Sequence, residues 1–593
     1  MRTLSSAPVD RPLRLWPGVA GAIIVVLARF VIAPFVPGAG LLGVLAGMAG
    51  AAVVLLWWLF FSRAAWFERL GAMLLIAVAA VMTRLFVHPS IGVGAGGGML
   101  SVLLLPATVP PFLVAGVVLS RRCSRRVRLA SMAAAILLGS GVWVLARTDG
   151  VKGEANPQLA WRWTPTAEQR LLTAAKDETP AAPTARTVHQ PTAAPPAGEP
   201  TAASAPAAAP ILWSGFRGPK RDAVSVGVRI STDWNVTKPE QIWRRRVGPG
   251  WSSFAVAGNL IFTQEQRGDS ELISAYRFST GEPVWRHQDA ARFYESGAGA
   301  GPRATPTIHD GRIYAMGATG IVNALDARTG APIWSRNAER DTGARRPEYG
   351  FAASPMVLGD VVVAAASGRL AAYDLASGTP RWTQKTSGGG YSSPHPATLG
   401  GVPQILLMNG SGITSVGLDG SVLWSNHSGE GSGIVQPRVL EDGSVLAASG
   451  HMMRGQGLRR LSVARAADGT WKSDERWTSH GLKPYFNDFV VHKGHAYGFD
   501  GTILSAIDLE TGERAWKGGR YGAGQMLLLP EQDLLLIVSE EGELVLVAAS
   551  PDQHTEIAKF KAIEGKTWNH PVLVGDVLLV RNGEEMGAFR LAR

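Results

Sequence analysis

A single cysteine, Cys123, stands in 593 residues. That excludes an intramolecular disulfide, a Cys-x-x-Cys metal or redox pair and a Cys-x-x-Cys-His haem attachment. No Gly-x-Ser-x-Gly elbow occurs, and no Gly-Lys-Ser/Thr follows the glycine run at 92–98, so neither a hydrolase nucleophile nor a phosphate loop has support. An excess of basic charge is also missing from most of the chain. Residues 211–593 carry 40 Lys+Arg against 39 Asp+Glu, while residues 1–210 carry 18 against 8. The net charge of +11 therefore sits in the N-terminal third, and the larger part lacks the basic bias of a nucleic-acid binder.

Long apolar runs fill that N-terminal third. Five stretches, about 17–36, 39–61, 68–87, 99–119 and 129–146, approach the roughly 20 residues that a helix needs to cross a bilayer. The segments between them alternate in charge. Arg2, Arg11 and Arg14 precede the first, Arg63 and Arg69 follow the second, and "SRRCSRRVR" follows the fourth, whereas "PG" at 37–38 and "HPSIGVGAGGG" carry no Lys or Arg. The spacing predicts a membrane anchor of five transmembrane helices over 1–147. Its N-terminus lies inside, and everything beyond residue 147 lies outside the cytoplasm.

Residues 148–210 change composition. Thr166 and Gln169 stand at capping-box spacing and predict one short helix within 161–178. The Ala/Pro/Thr-rich run after it has too little apolar surface to fold and predicts a disordered tether.

The remaining residues repeat themselves. "AYRFSTGEPVW" (275–285), "ALDARTGAPIW" (324–334), "AYDLASGTPRW" (372–382), "SVGLDGSVLW" (415–424) and "AIDLETGERAW" (506–516) each place a glycine four residues before a tryptophan. Alternating residues flank each turn, which is the pattern of strand, tight turn, strand. Sheets of this kind cover their faces by stacking around an axis, with the indole filling the contact between neighbours. The repeat length divides 211–593 into an all-β eight-bladed propeller. Its last block is too short for four strands, and "EQIWRRRV" (240–247) supplies the missing one and closes the ring.

These turns, together with "FRGPKRD" (216–222), "GPGWSSFAVAG" (248–258), "KPYFNDFVVHKGHAYGFDG" (483–501) and "GKTWNHPVLVGDVLLVRNGEEMGAFRL" (565–591), resemble the pyrroloquinoline-quinone (PQQ)-like propellers, in particular a bacterial membrane-anchored branch. That superfamily includes quinoprotein dehydrogenases and the propeller lipoprotein of the outer-membrane barrel-assembly machine. The resemblance covers essentially all of 211–593. It implies the bacterial cytoplasmic (inner) membrane for the anchor, and the periplasm or the cell exterior for the propeller. It identifies the fold far better than the activity.

The predicted innermost strands begin with small polar residues and proline. They bring Ser253, Arg303, Thr305, Ser354, Ser393, His395, Gln436, Asn487, Asp488, Gln525, Asn569 and His570 to one mouth. The same residues could instead satisfy backbone groups and water in a sealed channel. If the resemblance extends to PQQ, Arg303 would meet its carboxylates and Asp488, the single acid of the ring, would be the catalytic base, with Ca²⁺ held by oxygen ligands. His492 and His495 read as a hairpin tip rather than a metal site, and no metal site is assigned. Two functions follow: a scaffold that binds a protein or a small molecule at the mouth, or a PQQ-dependent quinoprotein dehydrogenase that oxidises an alcohol or sugar and reduces membrane quinone.

Overall fold

The computed structural model describes residues 13–33, 36, 39–93, 98–153, 156–175, 209–429, 431–451 and 454–593. Of the expected tether, 179–210, all but the last two residues lie outside them. The chain divides into two units, residues 1–165 with 295–299, and residues 166–294 with 300–593.

The first unit is helical. Four helices are long and apolar enough to cross a membrane: Leu42–Phe61, Trp66–Phe86, Met99–Leu119 and Arg125–Leu145. The sequence predicts five. The first stretch forms a shorter apolar helix, Trp16–Ile32, which at about 1.5 Å per residue falls short of the ~30 Å hydrocarbon core. Polar side chains pair between the helices. Buried Glu68 accepts from Arg125 Nε at 2.9 Å and Arg128 Nη2 at 3.3 Å, and Trp143 Nε1 donates to Thr108 Oγ1 at 3.0 Å. Gly116 and Gly139 let helices Leu105–Leu119 and Arg125–Gly141 approach closely: a Cβ on Gly116 would meet Ala135 Cβ at 2.8 Å. Leu74, Leu85 and Leu119 point outward and stay exposed, as lipid-facing side chains do.

The second unit is an eight-bladed propeller. Seven blades are built from consecutive strands, and the eighth is completed from the other end of the fold. Strand Glu240–Arg246 pairs antiparallel with Glu585–Arg590, with Trp243 opposite Ala588, so the ring closes where the short last block predicts it. The first blade gains a fifth strand, Ile211–Trp213, on its inner edge.

The recurring glycine and tryptophan meet across the blade seams. Each turn glycine has φ near +70 to +90° and lies under the indole of the preceding blade. Gly281 faces Trp243, Gly330 faces Trp285, Gly378 faces Trp334, Gly420 faces Trp382 and Gly512 faces Trp477, each close enough that an added Cβ would sit under 3 Å from a ring atom. Glycine is required twice over, by the left-handed backbone and by the ring above it. The indole Nε1 also donates into the neighbouring turn: Trp243 to Phe278 O, Trp285 to Ala327 O, Trp334 to Leu375 O and Trp382 to Leu418 O, at 2.9–3.2 Å. Trp424 departs from the rule and donates to Gln404 Oε1 within its own blade. Before the propeller, helix Ala167–Ala175 starts with the predicted capping box. Thr166 N–H donates to Gln169 Oε1 at 2.8 Å and Gln169 N–H donates to Thr166 Oγ1 at 3.0 Å.

Candidate functional site

In an eight-bladed ring the innermost strands face the axis. Here they are Ala255–Ala257, Thr307–His309, Met356–Leu358, His395–Leu399, Arg438–Val439, Val490–His492, Gln525–Leu529 and Val572–Val574. Just before most of them stand the polar residues singled out in the sequence, and most of these form one girdle of hydrogen bonds from blade to blade. Ser253 N–H donates to Thr305 Oγ1 at 2.9 Å, Thr305 N–H to Ser354 Oγ at 2.9 Å, and Ser354 N–H to Ser393 Oγ at 2.8 Å. Gln436 Nε2 donates to Pro394 O at 3.2 Å. Gln525 Oε1 accepts from Asp488 N–H at 3.4 Å, while its Nε2 donates to Trp568 O at 3.2 Å. Asn569 Nδ2 donates to Ser252 O at 2.7 Å, and Ser253 Oγ donates to His570 O at 2.6 Å. Each hydroxyl or amide satisfies a buried main-chain group on the adjacent blade.

Three of the predicted residues, Asn487, Arg303 and His395, stand apart from these seams. Asn487 turns back on its own loop, where Oδ1 accepts from Tyr485 N–H at 3.2 Å. Arg303 lies over the Phe293 ring at 5.1 Å and donates to Ala300 O at 3.2 Å and Tyr349 O at 3.4 Å.

Behind the girdle the channel is filled by a segment whose role the sequence did not disclose, 214–225, which contains "FRGPKRD". Ile308 N–H donates to Ser214 O, and Arg221 donates to Ser354 O and Pro355 O at 3.0 Å. Arg217 donates to Phe489 O at 2.7 Å, and Leu528 N–H donates to Ala223 O at 2.9 Å. These partners belong to the second, third, sixth and seventh blades. Those blades oppose one another across the ring, so the segment crosses the axis.

Asp488 is committed to that segment. Its Oδ1 lies 3.3 Å from Arg217 Nη1, and its Oδ2 lies 3.0 Å from His570 Nε2. Burial pushes its carboxyl up, but Arg217 and then His570 outweigh that and hold it below the ordinary carboxylate range. His570 is itself pushed down by burial, and its ring meets Phe216 edge-on at 5.0 Å. His395 is driven down to about 3 by burial and by the charges of Arg221, Arg217 and Arg438, so it stays neutral. Gln436 Oε1, Asn569 Oδ1, His395 Nδ1, His570 Nδ1 and Asp488 Oδ1 are buried without a hydrogen-bond partner among the protein atoms, Asp488 Oδ1 being balanced by the charge of Arg217 alone. A PQQ–Ca²⁺ centre needs a free carboxylate base and several oxygen ligands. The one carboxylate of the girdle faces two cationic or hydrogen-bonding partners, and Arg303 is held by Phe293 and two carbonyls. The girdle residues do not fit such a centre.

On the strand-start side of the girdle stands a collar of half-buried aromatic residues. Trp251 and Trp568 have ring centroids 4.9 Å apart, Phe486 and Trp568 also 4.9 Å, Tyr485 and Phe486 5.4 Å, and Tyr349 and Tyr391 5.7 Å. Lys566 Nζ lies 4.4 Å from the Trp568 ring and 5.3 Å from that of Trp251. The signal was present in the strings "WSSF", "YSSP", "YFND" and "WNHP", where an aromatic residue precedes each polar strand start.

Residues 233–395 match the family described as outer membrane protein assembly factor BamB. A quinohemoprotein alcohol dehydrogenase of Comamonas testosteroni is 34% identical over 113 residues, 18% of this chain and 15% of that protein. An outer membrane protein assembly factor BamB of Xanthomonas campestris pv. campestris is 34% identical over 87 residues, 14% of this chain and 21% of the relative. The chain thus spans about a fifth or less of the length of these two relatives. Among solved structures, a europium-containing methanol dehydrogenase aligns with a TM-score of 0.49 and 11% identity, covering 64% of this chain and 98% of that one. The propeller is of the type shared by BamB and the PQQ dehydrogenases.

Proposed function

We propose that the protein is a membrane-anchored, extracytoplasmic scaffold whose propeller binds a protein segment or a small ligand at the aromatic collar. One observation carries the reading. Most of the girdle's polar groups serve the blade seams and its single acid is ion-paired with Arg217 and His570, whereas the collar leaves aromatic faces half-exposed at the mouth. Tyr and Trp in such a setting offer large contact area at little entropic cost. The apolar helices support the membrane anchor, and Arg63 and Arg69 on either side of Trp66, with the arginines within 121–128, support a bacterial inner-membrane orientation that leaves the propeller outside.

The similarity to a quinohemoprotein alcohol dehydrogenase favours a second reading, a PQQ-dependent oxidoreductase with Asp488 as base. Against it stands the pairing of Asp488 with Arg217 and His570.

Photo-crosslinking in native membranes tests the scaffold. A benzophenone amino acid placed at Tyr349 recovers one reproducible partner, and the additional change Trp568→Ala removes the adduct while the protein remains folded and in the membrane. An adduct indifferent to Trp568→Ala, or no adduct, contradicts the reading.

A further inference from the structure

The segment that fills the channel carries a charge the fold does not balance. Three guanidinium groups meet two carboxylates there: Asp488 lies against Arg217, and Asp222 Oδ2 lies 2.9 Å from Arg438 Nη1. Arg221 is left to the carbonyl oxygens of Ser354 and Pro355. Among the described residues no carboxylate lies within 4 Å of it. Arg221 is 6% exposed and its Nε has no hydrogen-bond partner among the protein atoms. Burial, then the like charge of Arg217, push it down to about 9, which still leaves it charged at neutral pH.

The backbone around it is also unusual. Arg217, Arg221 and Ala223 adopt φ of 60°, 55° and 59°, three of the eight non-glycine residues with positive φ in the described chain. Strain of this kind persists where surrounding structure holds it, and it clusters at ligand sites. Arg221 lines a cavity of about 190 Å³ at the strand side of the girdle, away from the collar. The cavity wall combines Ser214 and Thr307 with the apolar faces of Phe216, Ile308 and Val357. At about 30 Å³ per water it has room for about six waters, the size of a carboxylate with a few carbons.

We propose that this cavity binds a short-chain carboxylate, with Arg221 as its counter-charge. The buried guanidinium supplies the attraction, the apolar wall accepts the alkyl portion, and the "FRGPKRD" segment is strained in order to hold the charge at the cavity. The proposal stands independently of what the collar binds.

The test uses the full chain in detergent and propionate as the probe. Saturation-transfer NMR is expected to show transfer from protein to the propionate methyl protons, competed by acetate. Binding should weaken at least tenfold in Arg221→Gln and in Val357→Trp, which fills the cavity while leaving the arginine in the chain. Circular dichroism checks that each variant is folded, and Val357→Trp carries the test if Arg221→Gln does not fold. Absence of transfer, transfer undiminished in Val357→Trp, or displacement by chloride as effective as by acetate would overturn the assignment. The first two results would leave Arg221 a structural group neutralised by carbonyl dipoles alone.

Discussion

Asp488 Oδ1 lies 3.3 Å from Arg217 Nη1, and this ion pair joins the sixth blade to the segment that crosses the channel. Both side chains are nearly inaccessible, at 3% and 5%. A buried pair contributes little against a well-packed apolar substitute, but removing one partner strands the other. Asp488→Asn or Arg217→Met alone is expected to lower stability by about 3–5 kcal/mol, and the double variant by clearly less than the sum of the two. Thermal unfolding followed by tryptophan fluorescence measures the coupling. Additive losses would mean that the pair contributes nothing specific.

His395 sets a pH dependence. Its folded-state pKa of about 3 lies below the ordinary 6.5. The unfolded chain therefore takes up a proton in the intervening range that the folded chain refuses. Stability falls as pH drops below 6.5, with a limiting slope of about 1.4 kcal/mol per pH unit from this group. Burial, then the charges of Arg221, Arg217 and Arg438, enforce the shift, and Asp488 opposes it weakly. His395→Gln is expected to flatten the decline in melting temperature between pH 6.5 and 5, and an unchanged profile would remove His395 from the account.

Glu271 acts in the opposite sense. Burial is the main cause that raises it to about 7, against the hydrogen bond from Ala318 N–H. A raised carboxyl favours the folded state while it is protonated, and that advantage is lost as pH rises through 7. Glu271→Gln is thus expected to be more stable relative to the parent at pH 8 than at pH 5, read from melting temperatures at the two pH values.

Gly330 lies under Trp285. A Cβ there would stand 2.5 Å from the indole, at a backbone φ of +74°. Gly330→Ala is expected to cost about 2 kcal/mol or more from strain and overpacking together. Combined with Trp285→Leu, the loss should be smaller than the sum of the two single losses, because the leucine removes the clash and leaves the strain. A double variant no better than the sum of the singles would dissociate the two positions.

How far the sequence discloses this molecule depends on whether a feature repeats. The seams were legible because glycine and tryptophan recur at one spacing, and the closing strand Glu240–Arg246 because the final block lacked a strand. The girdle residues were legible as a set because small polar residues precede most innermost strands. That their groups serve the seams is a matter of burial, which sequence does not display. The channel-filling segment was not legible. It occurs once, and Arg217 meets its partner Phe489 O across 272 residues of chain. Hydropathy alone predicts one span too many in the anchor, because the apolar run continues through Pro34 while the helix described there is Trp16–Ile32.

Cys123, the lone and exposed cysteine, reports orientation. It sits in the arginine-rich segment 121–128, which the proposed topology places in the cytoplasm. A membrane-impermeant maleimide is expected to leave it unlabelled in intact cells and to label it once the membrane is permeabilised. Labelling of intact cells would invert the topology and bring the propeller inside.

The choice between scaffold and dehydrogenase is tested most directly by titrating the purified full chain with PQQ and Ca²⁺, then assaying dye reduction with alcohols and sugars. With Asp488 held by Arg217 and His570, neither stoichiometric retention of the cofactor's absorbance after desalting nor turnover is expected. Retention at one equivalent together with substrate-dependent reduction would contradict that expectation.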